Sequence, residues 1–303
     1  MVPPATFTSY YGRPVVKASP WAADIPAYLF LGGVAAGSSL LGAGGDLTDR
    51  PALRRAGRLS ALVAIGASLV ALVHDLGRPS RFVNMLRVAK PTSPMSMGTW
   101  VLSAYGPMVG VAAFSELPGF GWLRRWARPA GLAAAVTAPV VASYTAVLLS
   151  DTATPAWHQA HRELPFVFVG SAAAASGGLA MLLAPAAETG PARRLALGGA
   201  VLELAAERRM EASMGLAAEA LHQGTAGQLM RAARRLTALG AVGALGARRS
   251  RPLAALSGVA LLAGSACTRF GVFEAGQESA RDPRYTVVPQ RERLSGRAEL
   301  PVP

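Results

Sequence analysis

The sequence predicts an all-α integral membrane protein of about eight transmembrane helices, packed as two four-helix bundles. Three observations lead there. Of the 303 residues 51% are hydrophobic and only 16% charged, where a soluble domain carries about 25% charged residues. Apolar runs recur at close to the roughly 20 residues that a helix needs to cross a hydrocarbon core. Only helices or closed barrels satisfy the backbone there. Arginines gather between those runs, as Arg50, Arg54, Arg55 and Arg58, then Arg124, Arg125 and Arg128, then Arg248, Arg249 and Arg251. That spacing makes the net charge of +13 an anchoring of loops at a lipid surface, and no nucleic-acid partner is expected.

Residues 1–23 form an extramembrane segment with no basic stretch leading into a short apolar core, so no cleavable signal peptide is expected and the first helix serves as the insertion signal. The first span covers about 24–41 and carries Gly32, Gly33, Ala35, Ala36, Gly37, Ser38 and Ser39, small residues that let helices approach closely in lipid. The second, about 59–73, ends in His74, Asp75, Leu76, Gly77, Arg78 and Pro79, and a polar connection follows. The third covers about 100–114. The fourth, about 130–149, is interrupted by Pro139 and carries Tyr144. The fifth is apolar from about 165 to 183.

The sixth segment, about 195–214, is anomalous because Glu203, Glu207, Arg208, Arg209 and Glu211 interrupt it. Lipid does not tolerate such groups at depth, so the helix either leaves the membrane near Glu207 or turns its polar face to a hydrated cavity. The seventh and eighth spans cover about 229–247 and 253–270. The transmembrane body is therefore 24–273, followed by a polar tail, 274–303, without strong periodicity. Arginine-bearing loops after the first, third, fifth and seventh spans belong on the cytoplasmic side of a prokaryotic plasma membrane, which puts both termini outside.

No Walker loop, nucleophile elbow or zinc-binding helix motif is present. The single cysteine, Cys267, excludes an intrachain disulfide and an iron–sulfur cluster within this chain. His74, His158, His161 and His222 lie at helix ends or in loops, where they cannot face one another as haem ligands; neither haem nor a bound metal is expected. What remains is a set of polar side chains that an antiparallel bundle brings to one face: Asp24 and Tyr28, then His74, Asp75 and Arg78, then Ser93, Ser96 and Thr99, then Tyr144, Asp151, Trp157 and His158. Such a set suits a quinone headgroup, whose carbonyl oxygens need donors and whose reduction needs protons.

Each member also has a plainer role. Asp24 can cap the first helix ahead of Pro26, Tyr28 and Tyr144 can anchor at the interface, and Asp75 can pair locally with Arg78. Glu203, with Glu207, reads as a proton route or cavity wall.

The string from Ile25 to Gly37 (IPAYLFLGGVAAG), Asp75 to Pro79 (DLGRP) and Ser93 to Trp100 (SPMSMGTW), in this order and spacing, resembles the NrfD/polysulfide-reductase membrane-anchor family, and the likeness extends over nearly all of the chain. The resemblance implies a membrane subunit without haem that binds quinone or menaquinone. It also implies a ferredoxin-like four-cluster iron–sulfur protein docked on it, and often a molybdopterin catalytic subunit, such as a formate dehydrogenase-like one, beyond that. Tyr28 and Tyr144 match aromatic positions near the quinone, with His74, Asp75 and Asp24 beside them, although Asp24 stands where members vary. The 75–79 loop, with Arg78, matches the segment facing the partner; Arg81, Trp157 and His158 are expected to join Arg78 in docking it. Two other classes remain open: a proton or ion translocator built on Glu203 and Glu207, and a structural anchor that binds no quinone.

Overall fold

The computed structural model describes residues 14–298, among which there are helices and turns but no strand. The signal-peptide reading and the last five residues of the tail, 299–303, lie outside the described residues. The helices are α1 (Asp24–Leu47), α2 (Pro51–Asp75), short α3 (Phe82–Met85), α4 (Pro94–Phe114), α5 (Arg124–Ser150), short α6 (Pro155–Gln159), α7 (Leu164–Leu183), α8 (Gly190–Ser213), α9 (Gly224–Gly246), α10 (Arg251–Arg281) and α11 (Arg284–Ala298).

Local chemistry sets their ends. Proline occupies the first turn of α2, α4, α7, α8 and α10, where its missing N–H costs nothing. Ser93 and Ser250 accept the N–H groups of Ser96 (3.5 Å) and Leu253 (3.3 Å) at the starts of α4 and α10, as N-caps do. After α2, Gly77 takes a left-handed φ of +64° and its N–H returns to the His74 carbonyl at 3.2 Å. Glycine meets that backbone without steric cost, and Pro79 two residues on cannot continue the helix. The Asp75-to-Pro79 motif is thus a helix stop.

Among the described residues eight helices have 20 residues or more, and six of them, α1, α2, α4, α5, α7 and α10, are long and apolar enough to cross a membrane. The two that fall short of the expected eight are α8 and α9, whose charges lower their hydropathy. In α8 those charges turn inward: Glu203 and Glu207 are 1% and 3% exposed.

The long helices pack as two groups, α1, α2, α4 and α5, then α7, α8, α9 and α10, joined where α1 meets α7 and α10 and where α5 meets α7. Bare glycines permit the tightest crossings. A Cβ on Gly57 would stand 2.5 Å from the Gly42 nitrogen on α1, and one on Gly170 would stand 2.5 Å from the Glu203 nitrogen on α8, distances that only glycine allows. Because successive long helices alternate in direction, one end of the bundle gathers Asp24, His74, Ser93, Asp151 and His158. The opposite end gathers Asp46, Arg58, Glu116, Arg128 and Arg251.

The helix that carries the last span continues past 274 to Arg281, burying Ala275, Gly276, Gln277, Ser279 and Ala280, and α11 follows. Sequence shows only polarity here because the inward face is made of small residues. Gln277 Nε2 donates to the carbonyls of Ser19 (3.0 Å) and Trp21 (3.3 Å), tying the helix end to the segment before α1. Outside the spans, Arg284 is held above the ordinary guanidinium range, first by its hydrogen bond with the Tyr285 hydroxyl and then by Glu219.

Candidate functional site

Asp24 and Tyr28 stand one turn apart on α1, so their side chains stack along one face. The deeper residue, Tyr28, is 1% exposed, and its hydroxyl lies 3.4 Å from that of Tyr144 on α5. A well-formed O–H···O bond is about 2.7 Å; this pair is slack, and either phenol can turn toward an incoming acceptor. Its position is fixed from two sides. The Ser68 hydroxyl on α2 donates to the Tyr28 carbonyl at 3.0 Å, and the Tyr144 ring lies over Gly98 on α4, where any Cβ would overlap it. Tyr28 is therefore no interface anchor: its phenol is inside the bundle.

Nearer the surface, His74 Nδ1 is 2.9 Å from Asp24 Oδ2, with the His74 side chain 78% exposed. Asp24 makes no capping hydrogen bond, the N-cap being Ala23, and its carboxylate is used on His74 instead. Asp75 forms no local pair with Arg78; its Oδ1 accepts the Ala22 N–H at 3.3 Å. A cleft of about 250 Å³ opens at the same end, lined by Asn84, Met85, Lys90, Ser93, Ser96 and Thr99 among others, the last of these next to Gly98. All five residues expected at a headgroup thus gather at one end: an inner phenol pair, an outer carboxylate–imidazole pair, and Asp75, which holds the Ala22 N–H.

The expected docking residues divide. Arg78, Arg81 and His158 are exposed. Trp157 is 1% exposed; its indole N–H donates to the Val272 carbonyl at 2.8 Å, and its ring packs on Trp21 and Phe273 at 6.0 and 5.5 Å. Trp157 is a core residue with no surface to offer a partner.

In the second bundle Glu203 accepts from Thr268 (2.7 Å) and Thr237 (3.4 Å), beside a Ser171–Ser265 hydroxyl pair at 2.8 Å. The positive charge facing it is Arg269, fully buried, which donates to the Phe168 carbonyl at 2.8 Å and stacks 3.8 Å over the Phe168 ring. Its Nε and Nη1 have no hydrogen-bond partner among the described residues. One turn along α8, Glu207 takes Arg234 Nε at 2.8 Å. The same guanidinium reaches Glu211, whose carboxylate is 3.6 Å from the exposed His222. Sequence reasoning missed Arg269 and Arg234, although Arg269 stands alone in an apolar run and intramembrane arginine is a functional signal. Among the described residues no group of three or more His, Cys, Asp or Glu could hold a metal ion.

A bundle of apolar helices with buried phenols at one end and inward-facing acids in its other half defines a multi-pass α-helical protein of the cell membrane that keeps its polar chemistry inside. The chain matches the family described as Polysulphide reductase, NrfD, over residues 15–191, more than half of its length, and it belongs to that family. It is also 32% identical over 151 residues to the C subunit of polysulfide reductase from Wolinella succinogenes. That match covers 43% of this chain and 47% of the relative, so the chain spans about half the length of the curated relative it matches.

Proposed function

We propose that this chain is the quinone-reactive membrane anchor of a multi-subunit oxidoreductase, passing electrons between the quinone pool and an iron–sulfur partner. The observation that carries the reading is the slack, buried Tyr28–Tyr144 hydroxyl pair, 3.4 Å apart, at the end of the bundle where a largely apolar cleft opens. Two donors that are not committed to each other suit a ligand carbonyl, and the bare Gly98 Cα makes room for the ring of Tyr144. The residues present therefore fit a quinone headgroup. A bound quinone or quinol supplies the two-electron, two-proton chemistry. Tyr28 and Tyr144 orient a carbonyl oxygen and hold the proton at it. Asp24 and His74, one turn outward and open to water, exchange that proton with solvent.

Arg78, Arg81 and His158, exposed at the same end, face the partner. Its chemistry is that of a ferredoxin-like four-cluster iron–sulfur protein, with a molybdopterin catalytic subunit beyond it, and it carries the clusters that this chain lacks ligands to hold. The relative's name, that of a polysulfide reductase subunit, supports an oxidoreductase complex of this kind.

A second role for the other bundle, proton translocation, is favoured by one observation: Glu203, Glu207, Arg234, Glu211 and His222 form a run of polar groups from a fully buried carboxylate to an exposed imidazole. In the assembled complex, Tyr144→Phe should lower quinone turnover by about tenfold or more with assembly intact. Undiminished turnover removes Tyr144 from the site.

A further inference from the structure

The end of the bundle away from the tyrosines holds a second cleft, a polar one of about 300 Å³, walled by Asp46, Arg54, Arg58, Glu116, Arg124 and Arg128. The geometry points to this cleft as a seat for the headgroup of an anionic phosphodiester lipid. The reading is independent of the quinone site.

The cleft is built by close helix contact. A Cβ on Gly45 would come within 2.5 Å of the Arg54 nitrogen, and one on Gly42 within 3.2 Å of the Arg58 nitrogen, so α1 and α2 meet almost backbone to backbone and bring both arginines beside Asp46. Glu116, from the end of α4, takes Arg54 Nε and Arg58 Nη1, each at 2.8 Å. Asp46 Oδ2 lies 3.5 Å from Arg58 Nη2 and 3.8 Å from Arg128 Nε.

Four arginines face two carboxylates, a surplus of two positive charges. Arg124 engages neither carboxylate. At the floor, Arg58 is 6% exposed, and its Nε has no hydrogen-bond partner among the described residues; neither has Asp46 Oδ2. The Arg58 Nε donor is left unmet, and Asp46 Oδ2 is held by charge alone at 3.5 Å and 3.8 Å without a hydrogen bond, a state that buried polar groups avoid. A phosphodiester whose headgroup bears a hydroxyl answers both, and the surplus charge answers the phosphate. Basic pockets between transmembrane helices on the cytoplasmic side are a known kind of lipid-headgroup site.

The lipid source follows from the neighbours. Trp122 and Trp126, 67% and 54% exposed, with Phe120 at 39%, sit at the start of α5 beside Arg124 and Arg128, as aromatic belts do at headgroup level.

The test uses the full chain, purified in detergent and stripped of lipid. Short-chain phosphatidylglycerol, phosphatidylcholine of equal acyl length and inorganic phosphate are titrated separately, with binding read by native mass spectrometry. Phosphatidylglycerol should bind one per protein molecule, about tenfold or more tighter than either alternative. Arg124→Gln with Arg128→Gln should abolish that preference, while Arg55→Gln, at the same end but outside the cleft, should keep it. Equal binding of the two lipids, or a preference that survives the double substitution, overturns the proposal. Phosphate bound as tightly as phosphatidylglycerol makes the cleft a free-anion site and overturns the lipid reading.

Discussion

For Tyr28 and Tyr144 the decisive quantity is the distance between two hydroxyls, and that distance depends on the register of α1 against α5. Their place at one end of the bundle was legible from the alternation of spans, as was the company of Asp24, His74 and Asp75. Their pairing and burial were not, because a tyrosine near a helix end reads equally well as an interface anchor. Trp157 failed for a similar reason: an indole between two helices carries no local mark of whether it faces partner or core. Gly98→Val should push the Tyr144 ring from its seat, raising KM for quinone and lowering kcat at once, in a complex that still assembles; kinetics of the purified complex check it. In the other bundle, Glu203→Gln keeps an acceptor for Thr268 but leaves the buried Arg269 without its facing carboxylate, and should lower the melting temperature. Arg269→Met leaves Glu203 buried without its facing charge and should cost about 3 kcal/mol. Pairing Arg269→Met with Glu203→Gln should restore most of the loss, and an additive result in thermal unfolding would show that the two groups do not interact.

Among the elements, α8 best separates what a sequence states from what packing decides. Charges within an apolar run showed that the helix is unusual, and they left two placements open. The contact with α7 shows which way the charges turn: Gly170 lets the α8 backbone close in, and Glu203 and Glu207 face inward onto Thr268, Thr237 and Arg234. Gly170→Val puts a side chain into that crossing and should destabilise the protein by about 1–3 kcal/mol, read as a lowered melting temperature. The matching change at Gly66, which has open space around a Cβ, should leave melting near that of the parent. In α10 the sequence-based boundary fell near 273, because polar residues hid the period of a small-residue face; tertiary contacts with Trp157 and Ser19 carry the helix to Arg281.

Across the whole molecule, the all-α membrane class and the division into two four-helix groups follow from apolar run length and loop placement, which sequence displays directly. The number of apolar spans does not, since a helix that buries its charges against neighbours scores as polar. The same alternation fixes the two ends, and we propose that the arginine-rich one faces the cytoplasm, as the positive-inside rule expects. In a Cys267→Ser background, Arg125→Cys should react with a membrane-impermeant maleimide only from the cytoplasmic side and Arg81→Cys only from the opposite side; the reverse pattern would invert the protein. On the proposed function, the quinone site opens at the face where the iron–sulfur partner docks. Photolabelling of the purified complex with an azidoquinone, followed by peptide mapping, tests that placement most directly. Label should fall on peptides containing Tyr28, Tyr144 or residues 93–100, be displaced by a menaquinone analogue, and drop in Tyr144→Phe. Displaceable label confined to other helices, or label at these peptides that the analogue fails to displace, would contradict it.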